Sequence, residues 1–261
     1  SDTENLDKLF ISEKFDYIVH LAAQAGVRYS IENPKIYIES NILGTFNLLE
    51  NIRKYKPEHF ILASSSSVYG KNKTLPFSEN QPVNQPVSLY AATKISDEAL
   101  THSYSELYDI KTTVLRFFTV YGPWGRPDMA YFSFTDAILN DKPIKVFNHG
   151  NLARDFTYIE DIIEGIKLVM YNYQKMTENY NLFNIGNGNK VTLINFIHIL
   201  EEIIGKKAIK QYIEMQEGDI SETLSDISKL NNYFGYNPQT NLKQGLEKFF
   251  QWYKDYFSLC S

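Results

Sequence analysis

Cysteine is almost missing from this 261-residue chain: the one thiol is Cys260. That excludes a disulfide framework and a cysteine-built metal site, and it fits a reducing compartment, the cytoplasm. Positive charge is in deficit, with 26 Lys and Arg against 31 Asp and Glu. No basic surface of the kind nucleic acid needs is expected, and an anionic ligand must be met by local charges or helix N-termini. No apolar run reaches the length of a membrane span. The five histidines, His20, His59, His102, His149 and His198, are scattered with no i,i+4 pair, so no metal centre is expected. The first residues, SDTENLDKLF, are polar and acidic, unlike a secretory signal.

What is present has an ordinary globular balance, 43% hydrophobic and 22% charged, which excludes a disordered tract. FDYIVHLAA, HFILASSSSVYG and TTVLRFFTVYG read as short buried strands that run into small or polar residues. Between them lie helical patterns, roughly residues 34–54 and a second starting at Ser88, which is a candidate N-cap. Such alternation predicts an α/β fold with a doubly wound parallel sheet. After Gly122 the texture shifts to the Pro/Gly loop GPWGRPDM and a mixed α/β stretch ending in the helix pattern NLKQGLEKFFQWYKDYF. Ligands of open parallel sheets sit beyond the carboxyl ends of the strands, so HLAA, SSSSVYG and FFTVYG are where functional residues are expected.

Tyr90 and Lys94 stand four apart and share a helix face. An ammonium beside a phenol favours the phenolate, so Lys94 is expected to lower the Tyr90 pKa and make it a general base. Two further Tyr-x-x-x-Lys matches, Tyr69 with Lys73 and Tyr171 with Lys175, fall into polar loops and are expected to be structural. Only Tyr90 opens a capped helix behind a serine-tipped strand.

The ordered set HLAA, SSSSVYG, SLYAATK and LRFFTVYGP resembles the extended branch of the short-chain dehydrogenase/reductase superfamily. GRPDMA, ARDFTYIEDI, FNIGNG, EGD and GLEKFFQWYKDY narrow the resemblance to nucleotide-sugar 4-epimerases, most closely those acting on UDP-glucuronate. It implies a Rossmann-like NAD-binding domain over residues 1–125. Residues 126–261 would form mainly a smaller substrate domain, with part of 151–175 returning to the first.

The resemblance also implies roles. Tyr90 would be the catalytic base, Lys94 would hold the nicotinamide ribose, and Ser65 would hydrogen-bond the sugar 4-hydroxyl. Leu21, Ala22, Ala23, Gln24, Asn41, Phe117 and Val120 would lie along the NAD, together with Tyr90 and Lys94. Arg154 and Asp219 would contact the nucleotide diphosphate and ribose, and Val146 and Phe147 the uracil. Ser66, Ser67, Thr119 and Arg126 would surround the sugar C5 substituent. With five arginines in the chain, an arginine among hydroxyls suits a hexuronate carboxylate. Galactose-type epimerases usually carry Asn at the Thr119 position. Dehydratase and decarboxylase relatives place an acid near Ser66 and Ser67, where this chain has none. By family association the protein would be a homodimer serving polysaccharide biosynthesis.

The match breaks at the start. The family begins with a strand, a Gly-rich turn and a helix, but no G-x-x-G-x-x-G occurs here and the chain does not open with Met. Roughly two βα units of the resemblance are missing. A piece of a longer product is one expectation; a shortened remnant that binds a nucleotide sugar or a partner is the other. Open sheet edges make aggregation or a partner the expected behaviour of these residues alone.

Overall fold

The computed structural model describes residues 2–215 and 218–258; Cys260, and Glu217 of the EGD segment, lie outside them. In chain order the elements are α1 (Thr3–Ser12), β1 (Tyr17–His20), α2 (Val27–Glu32), α3 (Pro34–Tyr37), α4 (Gly44–Tyr55), β2 (His59–Ser65), α5 (Leu89–Tyr108), β3 (Thr112–Phe117) and β4 (Thr119–Tyr121). They continue with α6 (Ala130–Leu139), β5 (Pro143–Val146), β6 (Ala153–Tyr158), α7 (Ile159–Tyr171), β7 (Tyr180–Ile185), β8 (Lys190–Thr192), α8 (Leu193–Ile204), β9 (Ile209–Tyr212), α9 (Ser228–Phe234) and α10 (Leu242–Tyr256).

The main sheet is parallel throughout, in the order β1-β2-β3-β7. Strand alternation supplies both of its faces. Phe60, Leu62 and Val114 pack with Phe10, Leu49 and Ile52 on the side of α1 and α4. Ile61, Leu115, Phe183 and Ile185 pack with Ile162, Ile166 and Leu230 on the side of α7 and α9. Helices therefore cover both faces, as the near-continuous apolar runs of β2 and β3 require. Among the described residues β1 pairs on one side only, with β2, and its four residues are half-buried.

After β3 the chain leaves this sheet and returns as β7. After β7 it leaves again, and the two stretches, together the excursion, build a sheet of order β4-β6-β8 and a parallel pair β5-β9. Their core joins Tyr121, Val146, Phe156, Phe196, Leu246 and Phe249. The return to the main sheet runs beyond residue 175, through β7 and α9. No helix among the described residues is long and apolar enough to cross a membrane.

His59, at the start of β2, is fully buried; it stacks on Tyr173 at 4.8 Å and bonds the Thr113 hydroxyl at 2.9 Å. Burial lowers its pKa to about 4. Unfolded, an imidazole titrates near 6.5. Between those values the unfolded chain binds more protons, so the His59 contribution to stability is lost as pH falls. His20 acts in the same sense, and Asp97, raised to about 6 by burial, acts against it. The loss of stability between about pH 7 and about pH 5 should be smaller by about 2 kcal/mol in His59→Gln than in the parent. Urea unfolding at the two pH values measures it, and equal losses in both proteins would refute it.

Candidate active site

The site begins where β2 runs out. Ser65 takes an extended conformation and caps a short 3-10 turn, Ser66–Tyr69; its hydroxyl accepts from the Ser67 amide at 3.2 Å and donates to the Ser67 hydroxyl at 3.2 Å. Gly70 ends the turn at φ +52, where a Cβ would lie 2.0 Å from the Gln85 carbonyl oxygen. The loop before α5 thus presses directly on the serine turn. Ser64 points to the opposite side, onto Glu98 of α5.

Helix α5 starts as its sequence predicts, with the Ser88 hydroxyl accepting from the Ala91 amide at 3.1 Å. Its sheet-facing side is unusually polar: Lys94, Asp97, Glu98 and Thr101 are all buried. Lys94 donates to the Ala63 carbonyl at 2.9 Å and lies 3.5 Å from an Asp97 carboxylate oxygen. Burial raises the Tyr90 pKa above 10, while the Ser65 hydroxyl and the Arg126 charge pull it down. The cation that favours the Tyr90 phenolate here is therefore Arg126, not Lys94 as expected, because Lys94 is turned to the β2 backbone and to Asp97. Tyr90 packs edge-on to Tyr37 at 6.2 Å. Tyr37 in turn donates to the carbonyls of Ala25 and Gly26 at 3.0 and 2.6 Å. Gly26, at φ +105, leaves space into which the Arg126 guanidinium comes within 3.7 Å of an added Cβ. Ser65, Tyr90, Tyr37, Gly26 and Arg126 form one cluster at the ends of β1 and β2.

Beside it opens a cavity of about 760 Å³. One wall is Gly26, Arg28 and Tyr29; the other comes from the excursion and includes Arg126, Phe147, Arg154, Phe156 and Asp219, with Thr119 also on its surface. Three of the five arginines line it. Arg154 donates to Asp219 at 2.7 Å and to the Ser221 carbonyl at 2.9 Å. Arg28 lies over the Phe147 ring at 4.7 Å. Arg126 holds Asp128 in a two-point pair at 3.0 and 2.8 Å. The loop between Gly122 and Arg126 bears Trp124, at φ +62 and 75% exposed, which leans on Trp252 and Tyr256 of α10 at 5.3 Å each. A nucleotide diphosphate and a sugar acid would meet complementary charge here.

The profile of the NAD dependent epimerase/dehydratase family matches residues 1–186. The chain belongs to this family. UDP-glucuronate 4-epimerase 1 of Arabidopsis thaliana is 48% identical over 98% of this chain and 63% of its own length. A crystal structure of UDP-glucuronic acid 4-epimerase from Bacillus cereus, in complex with UDP-glucuronic acid and NAD, is 37% identical with a TM-score of 0.89, over 98% of this chain and 81% of that one. UDP-glucose 4-epimerase from Thermotoga maritima, with UDP-glucose, is 29% identical with a TM-score of 0.91, over 98% and 82%. The chain thus spans under two thirds of the plant relative and about four fifths of the bacterial structures.

The residues of this epimerase/dehydratase chain fit the nicotinamide end of NAD. A phenol and a buried lysine stand one helical turn apart on α5, and small Ala22 and Ala23 follow β1. Leu21 and Ala22 are exposed, and Phe117 and Val120 are half-buried against the sheet core. Asn41 departs from expectation. It sits in a π-helical segment, Ile38–Leu43, and is 1% exposed. Its amide accepts from the Gln24 amide at 2.7 Å and donates to the Gln24 carbonyl and the Thr93 hydroxyl at 3.0 and 2.9 Å. With those bonds made, Asn41 braces the loop after β1 and has no donor left for a cofactor. Val146 is also corrected: its side chain is fully buried in the core of the excursion and does not reach the cavity, whose wall is Phe147. Ser66 and Ser67 are half-buried at the turn and outside the cavity wall. No motif in the sequence marks Arg28 or Asp97. Arg28 follows a helix-opening Gly-Val, and its scarcity as an arginine was the available signal.

Proposed function

We propose that the protein interconverts UDP-glucuronate and UDP-galacturonate by transient oxidation at C4 of the sugar. What carries this reading is Arg126: it lines the cavity with Thr119, and its charge acts on the Tyr90 phenol. A guanidinium that near to the base suits a carboxylate on the neighbouring carbon of the same ring. The UDP-glucuronate relatives support it. A second reading, a 4-epimerase of UDP-galactose or UDP-N-acetylhexosamine, draws on the equal fold likeness to the Thermotoga UDP-glucose enzyme.

When bound, NAD supplies the hydride acceptor and donor at C4. Tyr90 takes the proton of the 4-hydroxyl as general base and returns it at the end. Ser65, whose hydroxyl lowers the Tyr90 pKa, orients that hydroxyl. Lys94 holds the nicotinamide ribose, beside the backbone of Leu21 to Gln24. Arg154 and Asp219 grip the nucleotide, and Phe147 backs the uracil. The cavity of about 760 Å³ leaves the sugar free to turn about its diphosphate linkage while the nucleotide stays fixed. Thr119 adds a hydroxyl to the surroundings of the carboxylate.

Chromatography of UDP-glucuronate incubated with the protein and NAD should show UDP-galacturonate. Arg126→Ala should lower kcat/KM for UDP-glucuronate roughly 10- to 100-fold beyond any loss on UDP-glucose, the worth of a charge-assisted pair; the part shared by both sugars is the lost pull of the Arg126 charge on the Tyr90 phenol. Equal losses on both sugars would remove the carboxylate assignment and favour the second reading.

A further inference from the structure

Lys94 and Asp97 are 4% and 0% exposed and 3.5 Å apart. We propose that Asp97 is a positioning residue for Lys94: its carboxylate is the countercharge that keeps the buried lysine an ammonium and holds it under the Ala63 carbonyl. The proposal uses the epimerase reading only for the purpose of that cation; the pairing itself stands on the geometry.

Burial favours the neutral amine. It lowers the Lys94 pKa, and the opposing influences are, in order, the charge and hydrogen bond of Asp97 and the charge of Glu98. Glu98 is committed elsewhere. Its two oxygens take the Arg116 fork at 2.9 and 2.8 Å, and Ser64 donates to one of them. Asp97 is thus the carboxylate that answers Lys94. The other neighbours leave this assignment intact. His20 of β1, which bonds the Thr45 hydroxyl of α4 at 3.2 Å, is held neutral by burial, with a pKa of about 4. Thr45 favours the Asp97 carboxylate. Tyr90 is neutral until well above pH 7, and the Asp97 charge pushes its pKa further up.

A pair kept for packing alone would be expected to satisfy all its polar atoms. Here Asp97 Oδ1 has no hydrogen-bond partner. The carboxylate also works against the base it lies near, since it raises the Tyr90 pKa. Both features make sense if the charge serves Lys94. The lysine then meets a ribose as a donor with a full positive charge whose protonation does not lapse.

The test is a carbon-13 NMR titration of the whole chain, which needs neither cofactor nor turnover. Lys94→Arg identifies the Lys94 ε-carbon signal and Asp97→Asn the Asp97 carboxyl signal. In the parent protein the Lys94 signal should show an inflection at the pH where the Asp97 carboxyl titrates, about 6. In Asp97→Asn the Lys94 midpoint should fall by at least about one pH unit, a tenfold loss of proton affinity. A Lys94 signal that ignores the Asp97 titration overturns the proposal in the parent alone, even if the variant fails to fold. A folded Asp97→Asn protein with an unchanged Lys94 midpoint overturns it as well, whatever its melting temperature. Because these readings involve no substrate, loss of the UDP-glucuronate assignment would leave them standing, and the reverse holds.

Discussion

Tyr90→Phe should fold normally and turn over UDP-glucuronate about 10²- to 10⁴-fold more slowly, the usual worth of a positioned proton-transfer group. The phenylalanine ring keeps the edge-on contact with Tyr37, and no structural hydrogen bond of the Tyr90 hydroxyl is lost to the backbone, so the melting temperature should barely move. The chemistry is what goes, since Tyr90 is the phenol whose pKa the Ser65 hydroxyl pulls down. The parent rate should also climb with pH. Burial raises the Tyr90 pKa above 10 against the pull of Ser65 and Arg126, so the base form grows as protons are removed. Rates of UDP-galacturonate formation, read by chromatography across pH with NAD supplied, decide the matter. A Phe variant with the parent rate would refute the role of Tyr90.

The second large effect lies beneath the site. Arg116 of β3 is 2% exposed, and its guanidinium is held by Glu98 of α5 and lies over the Tyr69 ring at 4.9 Å. Tyr69 donates to Asn184 of β7 at 2.6 Å. Serine turn, helix and two strands are thereby tied to a single buried charge pair. Glu98→Gln keeps the shape but leaves the guanidinium buried without a countercharge, which costs about 3–5 kcal/mol. For a chain of this size that is a fall of roughly 10 °C in melting temperature. The double variant Glu98→Leu with Arg116→Met should recover much of it, because neither charge is then buried alone. Thermal melts followed by circular dichroism test both, and a Glu98→Gln loss below about 1 kcal/mol would mean that water reaches the pair.

Much of this was legible in the residues. Serine-tipped β2, the Ser88 cap and the i,i+4 step from Tyr90 to Lys94 are local features, and local features are written in spacing. The same reasoning separated the other two Tyr-x-x-x-Lys matches. Tyr69 is buried in the structural bond to Asn184, and Tyr171 is 60% exposed at the end of α7. The misreadings concern which way a side chain faces. In β5, Ile144 and Val146 are buried while Pro143 and Lys145 are exposed; that period-two alternation, read from the sequence, would have sent Val146 to the core. Asn41 could not be read so, because its partners, Gln24 and Thr93, come from distant points of the chain. Asp97 is one polar residue among several on α5, and burial beside Lys94 arises only when α5 lies on the sheet.

The clasp between Trp124 and Trp252 has an optical consequence. The chain contains two tryptophans, and their rings stand 5.3 Å apart. Excited at the red edge of its absorption, the protein emits from one place instead of averaging over many. That place is the junction of α10 with the loop that delivers Arg126. The native emission is therefore a dye-free signal of that loop, available in any stopped-flow fluorimeter, and excitation at the red edge leaves the nineteen tyrosines dark.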